Sequence, residues 1–161
     1  MNKFDASSFL RGLDLMNKRI RAGAEIGMGR AVNRALRDAT MEIPATPKLD
    51  GDLRGSGSAI VDNKVILTGL DLGYTESEDA RGHATESPEH SDRNRIVGVV
   101  GFNAPYAAYQ HEGRREDGTH VVKQHTTAGT GTKFLERPLI DNSDRYLKIV
   151  AQSVRKAERN A

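Results

Sequence analysis

The stretch SGSAIVDNKVILTGL, residues 56–70, carries the clearest fold signal in the chain. Two runs rich in β-branched and aliphatic residues, Ser58 to Val61 and Lys64 to Leu70, flank Asp62-Asn63, a pair suited to a tight turn. The reading is a hairpin. A third run, RIVGVVGF at 95–102, predicts another strand. Strands this short pair most economically as an antiparallel sheet.

Upstream of the hairpin, PATPKLDGDLRGSG at 44–57 is a loop dense in Pro, Gly and Asp. Before it, Phe9, Leu13, Met16, Ile20, Ala24, Met28, Ala31, Ala35 and Ala39 follow at steps of three or four, which predicts a long amphipathic helix over 6–41. Ser7 or Ser8 is placed to cap its start, and Pro44 stands beyond its end. Gly23, Gly27 and Gly29 each cost about 1 kcal/mol relative to Ala inside a helix. Their grouping marks a kink or a place where another backbone comes close.

Downstream, NAPYAAYQHEG at 103–113 reads as a short helix with Pro105 in its first turn and Gly113 past its end. THVVKQH at 119–125 is a candidate fourth strand. From Pro138, the positions Leu139, Ser143, Leu147, Val150 and Val154 predict a C-terminal helix over 138–158. The expected fold class is α+β: a long N-terminal helix and a C-terminal helix packed on a small, mainly antiparallel β-sheet, with a short inserted helix. At 161 residues the chain is expected to form a single domain, 1–161. Residues 71–95 form a long polar loop in which seven acids stand against three bases, net −4. Such composition does not hold a structure alone, and contact with another subunit would order it.

Composition narrows the function classes. Hydrophobic residues make up 37%, aromatics 5%, and Trp is absent, so the core is lean and assembly with neighbours is favoured. With no Cys, disulfides and thiolate zinc sites are excluded. No apolar run approaches the ~18 residues of a membrane span, and the N-terminus lacks a signal-peptide core. A soluble, cytosolically made protein without membrane contact is expected. The net charge of +2 is small for a nucleic-acid binder. The first helix, with Arg11, Lys18, Arg19, Arg21, Arg30, Arg34 and Arg37, carries a mild basic bias, but no aromatics interleave with these bases.

His111, His120 and His125 with Glu112 offer metal-ligand chemistry, yet HEGRR is not H-E-x-x-H and Arg114, Arg115 and Lys123 would repel a cation. His111 and Glu112, adjacent on a helix, are expected on different faces. GTGTK lacks the P-loop pattern and no G-x-S-x-G occurs. Neither enzyme activity nor a metal or cofactor is expected. Tyr106 and Tyr109, three apart on the short helix, and His111 suit a protein interface. Glu76, Glu78, Asp79, Glu86 and Glu89 are the contact candidates of the acidic loop. Leu53, Phe134, Leu135 and Pro138 are the candidate structural anchors.

Three stretches taken in order carry a resemblance: Gly51–Ser56 (GDLRGS), Tyr106–Gly113 (YAAYQHEG) and Phe134–Leu139 (FLERPL). Together they resemble the neck or tail-completion proteins of long-tailed bacteriophages, often described as minor capsid or head–tail joining proteins. Their order and spacing cover most of the chain from residue 5 to 155. Asp50 stands where that pattern usually has Thr, and Lys133 where Pro is common. The resemblance implies a structural virion protein, made in the host cytoplasm, that forms a homo-oligomeric ring of six or twelve copies in the neck. Its partners would be the adjoining head-closure or connector protein and the tail-terminator or tail-tube protein, with genomic DNA passing through the ring without sequence-specific binding. Alternatives are a tail terminator capping the tube, or a DNA-binding accessory protein acting through the first helix.

Overall fold

In a computed structural model the chain is described over residues 6–47, 52–75, 84, 95–114, 117–118 and 127–159. Helix α1, Ser7–Met41, is followed by one turn, α2 (Asp52–Gly55), then strands β1 (Gly57–Val61) and β2 (Lys64–Thr68). A 3₁₀ turn at Leu70–Leu72 precedes β3 (Gly98–Phe102). Helices α3 (Ala107–Glu112), α4 (Glu136–Asp141) and α5 (Ser143–Arg159) complete the order. The class is α+β, as the hydrophobic periods predict. The candidate fourth strand at 119–125 lies outside the described residues, as do Glu76, Glu78, Asp79, Glu86, Glu89, His120 and His125.

The hairpin forms where turn chemistry places it. Asp62 and Asn63 both take positive φ, 50° and 62°, the left-handed pair that matches the twist of the flanking strands. β1 is the central strand, antiparallel to β2 on one side and to β3 on the other. A bulge between Ala59 and Ile60 shifts the β1–β2 register. β2 stops at Thr68, short of the expected Leu70. The Thr68 backbone N–H and hydroxyl both donate to Asp71 Oδ2 at 2.8 Å, and this winds the chain into the 3₁₀ turn. The start of the 71–95 segment is therefore ordered from within, with Leu72 against the core, contrary to the expectation for that whole stretch.

One face of the sheet meets α1. Val32 and Leu36 pack with Ala59, Val61 and Leu67, and Met28, Ile66, Val100 and Phe102 close around them. Each large aliphatic side chain buried there contributes on the order of 1.5–3 kcal/mol. The same helix carries α5 along an adjacent face. A Cβ built on Gly27 would stand 2.7 Å from Val150 Cα and 3.0 Å from Ser153 Cβ, and one on Gly23 2.8 Å from Ala157 Cβ. These glycines let two backbones touch, the second of the two roles their grouping suggested.

Two expectations about the helices need correction. Neither Ser7 nor Ser8 caps α1: Ala6 holds the cap position, with no side-chain cap bond. The apolar stripe is also not all core. Phe9, Leu13 and Met16 are 64%, 37% and 48% exposed, and burial begins at Gly23. The period was right, but α5 and the sheet reach only the second half of the helix.

The C-terminal helix begins at Glu136 rather than Pro138, and it bends at Asn142 into α4 and α5. Leu139 and Leu147, expected inward, are exposed. Ser153 is buried instead, because the close crossing with α1 admits only small groups on the facing side.

A buried polar group fixes the register of this helix pair. Asp38 is fully enclosed, accepts a hydrogen bond from the Tyr146 hydroxyl at 2.9 Å and faces Arg34 Nε at 2.6 Å. Asn142 Nδ2 donates to Glu42 at 3.2 Å. Burial raises the Asp38 pKa above the usual carboxylate value, opposed by the Tyr146 hydrogen bond and the Arg34 charge. Burial, with Asp38 close by, pushes the Tyr146 phenol well above its ordinary range, so it remains a donor.

Three substitutions on these helices test the arrangement. Gly27→Ala gains about 1 kcal/mol of helix propensity but meets backbone, where overpacking costs about 1–3 kcal/mol, so it should destabilise. Gly12→Ala, with nothing within 4 Å, should stabilise by up to about 1 kcal/mol. Urea midpoints that rise equally for both would refute the close crossing. Tyr146→Phe should cost about 1.5–3 kcal/mol at neutral pH by removing a bond to a buried carboxylate. With its folded pKa raised, Asp38 contributes stability that is present below the unfolded pKa and lost as pH rises through the folded one. The Tyr146 bond favours the ionised form, so the deficit of Tyr146→Phe should be largest above the folded pKa of Asp38 and narrow in acid. Denaturation curves at pH 7 and pH 4 measure this difference.

Candidate functional site

The described residues of the three stretches that carry the resemblance, from Asp52 to Leu139 in the chain, fold into one knot. Leu53 of α2, Ala104 just ahead of α3, Ala107 at its start, and Phe134 before α4 form a buried cluster, with Phe102 and Leu135 packed against it. Phe134 is 1% exposed and stands edge-on to Phe102, ring centroids 5.2 Å apart, and to His111 at 5.1 Å. Leu53 is buried and Leu135 half-buried. Pro138 is buried in the first turn of α4, where its missing N–H costs nothing. Its carbonyl accepts from Asn142 N, and the Tyr146 hydroxyl lies 3.3 Å away.

Ser56, in the GDLRGS stretch but not singled out by sequence reasoning, ties the knot through hydrogen bonds. Its buried hydroxyl donates to Leu53 O at 2.9 Å and accepts from Ala104 N at 3.1 Å, while its carbonyl accepts from Asn103 N at 3.1 Å. A Ser after a one-turn helix is the available signal, because such hydroxyls bond back to a carbonyl three residues earlier. Beneath this, Lys133 N donates to His111 O at 2.7 Å. Lys133 has φ of 59°, a conformation closed to proline, so the turn at this position differs from the pattern in which Pro is common.

The surface over the knot is charged. His111 Nδ1 lies 3.0 Å from Glu112 Oε1, and its Nε2 accepts from Glu136 N at 3.3 Å, which places the ring proton on Nδ1. The two neighbours thus meet at the end of α3 instead of facing apart, as expected from helix position alone. Lys133 Nζ bridges Glu112 and Glu136, at 2.8 Å from each. The Lys133 hydrogen bond first, then the one from His111, holds the Glu112 carboxyl below its usual value. Glu112 and then Glu136 raise Lys133 in turn. Tyr106 sits at the N-cap of α3, 39% exposed, and Tyr109 lies half-buried one turn on.

Both nitrogens of His111 are engaged within the fold. Among the described residues, no group of three or more His, Asp or Glu could hold a metal ion, and no helix is long and apolar enough to cross a membrane. An open groove of about 730 Å³ runs between α1 and the hairpin, lined by Ile26, Gly29, Arg30, Asp62 and Ile66 among others. The knot lies beneath Tyr106, the Lys133–Glu112–Glu136 ionic trio and His111. Comparison with protein families, curated proteins and solved structures finds no match to the chain.

Phe134→Ala should lower stability by about 3–5 kcal/mol, the usual cost of deleting a buried Phe. A variant that melts like the wild type would refute its place in the core.

Proposed function

We propose that the chain is a structural component of a long-tailed phage virion, forming a ring in the neck between the head connector and the tail. The observation that supports this reading is the knot itself. Three short motifs, each unspecific alone, share one buried cluster through Leu53, Ala107 and Phe134, so their order and spacing serve a single structural unit. The rest of the molecule is consistent with a role in assembly. The described residues present charged and half-exposed aromatic surface around the knot, and large apolar side chains stand exposed on α1 and α4.

The DNA-binding alternative has less behind it. Lys18 pairs with Asp14, Arg21 with Glu25, and Arg34 with Asp38 and Glu42. Arg37 bonds Asn33 and Arg30 bonds Ser153. Most cations of α1 are therefore engaged within the fold, which leaves a small footprint for a phosphate backbone.

Native mass measurement of assembled necks should find several copies of the chain per particle, six or twelve on the resemblance. A single copy per particle would refute the ring.

A further inference from the structure

The two ends of α1 carry apolar side chains that nothing in the described fold covers. At the N-terminal end Phe9, Leu10, Leu13, Leu15 and Met16 are between 37% and 64% exposed. At the other end Met41 and Ile43 flank Glu42, and Leu139 and Ile140 shortly precede Asn142. These four are 55%, 83%, 38% and 64% exposed. The Glu42–Asn142 hydrogen bond places them on the same end of the molecule.

The two patches cannot meet within one chain. They belong to opposite ends of a continuous 35-residue helix, about 50 Å long at 1.5 Å per residue. Their charges are opposite. At the first end Lys18 and Arg21 are met by Asp14 and Glu25, which leaves Arg11 and Arg19 as the free charge, and at the second Glu42 and Glu136 are met by Arg34, Arg145 and Lys133, which leaves Asp141 and Asp144 against Arg137. Arg11 and Arg19 on the first patch have no partner among the described residues, and neither do Asp141 and Asp144 beside the second. Pairing the first patch with its own copy would bring like charges together.

The areas also suit a stable contact. Leaving out Leu15, which the helix turns to another side, each patch exposes on the order of 400 Å² of apolar side chain, in the range of the largest patch on a monomer, which is often a functional one. Joined, at the roughly 60% apolar content of protein interfaces, they correspond to about 1,300 Å² of buried surface, a standard interface.

We propose that the first turns of α1 in one copy, Phe9 to Met16, dock on the Met41–Ile43 and Leu139–Ile140 end of a second copy, so that the chain assembles head to tail. Such a heterologous contact generates a ring when its rotation closes. The proposal rests on the ring reading above and names the surfaces that would build it.

The absence of cysteine provides a clean test. Leu13→Cys and Ile140→Cys are made separately, both at exposed positions, and treated with a short bismaleimide, alone and mixed. The mixture should give crosslinked dimers, each single variant alone should not, and the yield should fall several-fold between about 0.05 and 0.5 M salt as the opposite charges are screened. Leu13→Cys crosslinking to itself would show a like-to-like dimer and overturn the proposal. No crosslinks in particles that native mass shows to be multi-copy would overturn this contact and leave the ring reading standing. No crosslinks with one copy per particle would remove both. Binding to anionic lipid vesicles, lost on Leu13→Asp and without crosslinks in the mixture, would assign the patch to a membrane surface instead.

Discussion

The close crossing of α1 and α5 is the constraint from which the rest of the architecture follows. At Gly23 and Gly27 the two helices approach until backbone meets backbone. That contact leaves α5 only one permitted face, the small one through Val150, Ser153, Val154 and Ala157. It turns Leu147 outward. It also decides where α4 lies, since the bend at Asn142 must bring the chain from the Phe134 knot onto the track along α1. In a protein with few aromatics, packing of backbones replaces part of what large side chains would otherwise supply.

Small residues permit sliding, so the crossing alone does not fix how far along α1 the second helix sits. The polar group at the other end does. Asp38 is enclosed and must keep its partners, and Tyr146 can reach it from one register only. A shift by one turn would separate the phenol from the carboxylate and leave a buried charge poorly satisfied, a large cost against a net stability of about 5–15 kcal/mol. Glu42, bonded by Asn142 and by Arg34, repeats the arrangement nearer the surface. Apolar contact provides adhesion between the helices, and these hydrogen bonds provide position.

What could be read in the sequence was whatever depends on neighbours in the chain. The hairpin was legible because Asp62-Asn63 carries its own turn chemistry, and α1 because its period runs through nine positions. Gly23 and Gly27 announced a close approach without naming what approaches. Phe134 before Pro138 suggested an anchor, and the structure places its ring against Phe102 and His111. What could not be read depends on contacts across long separations. Asp38 and Tyr146 are 108 residues apart, and neither is unusual in its local setting. The direction of Leu139 and Leu147 was misjudged because periodicity reports that a helix has two faces, not which of them a partner will cover. The exposure of Phe9 and Met16 has the same origin.

The uncovered first half of α1 has a consequence for how the helix is made. A separate peptide of residues 7–22 would be marginal in water, because fixing the first turn is unfavourable and so short a segment does not recover the cost. In the protein the nucleus is supplied from behind, by the half clamped between the sheet and α5. The leading turns need only propagate from it, one hydrogen bond for each residue fixed, with an equilibrium constant per step not far from unity. Their helicity therefore decays outward from about Gly23 toward Ser7. A partner that seats on these turns selects a conformation already well populated, and the entropy it must remove is that of a fraying end, not that of a coil.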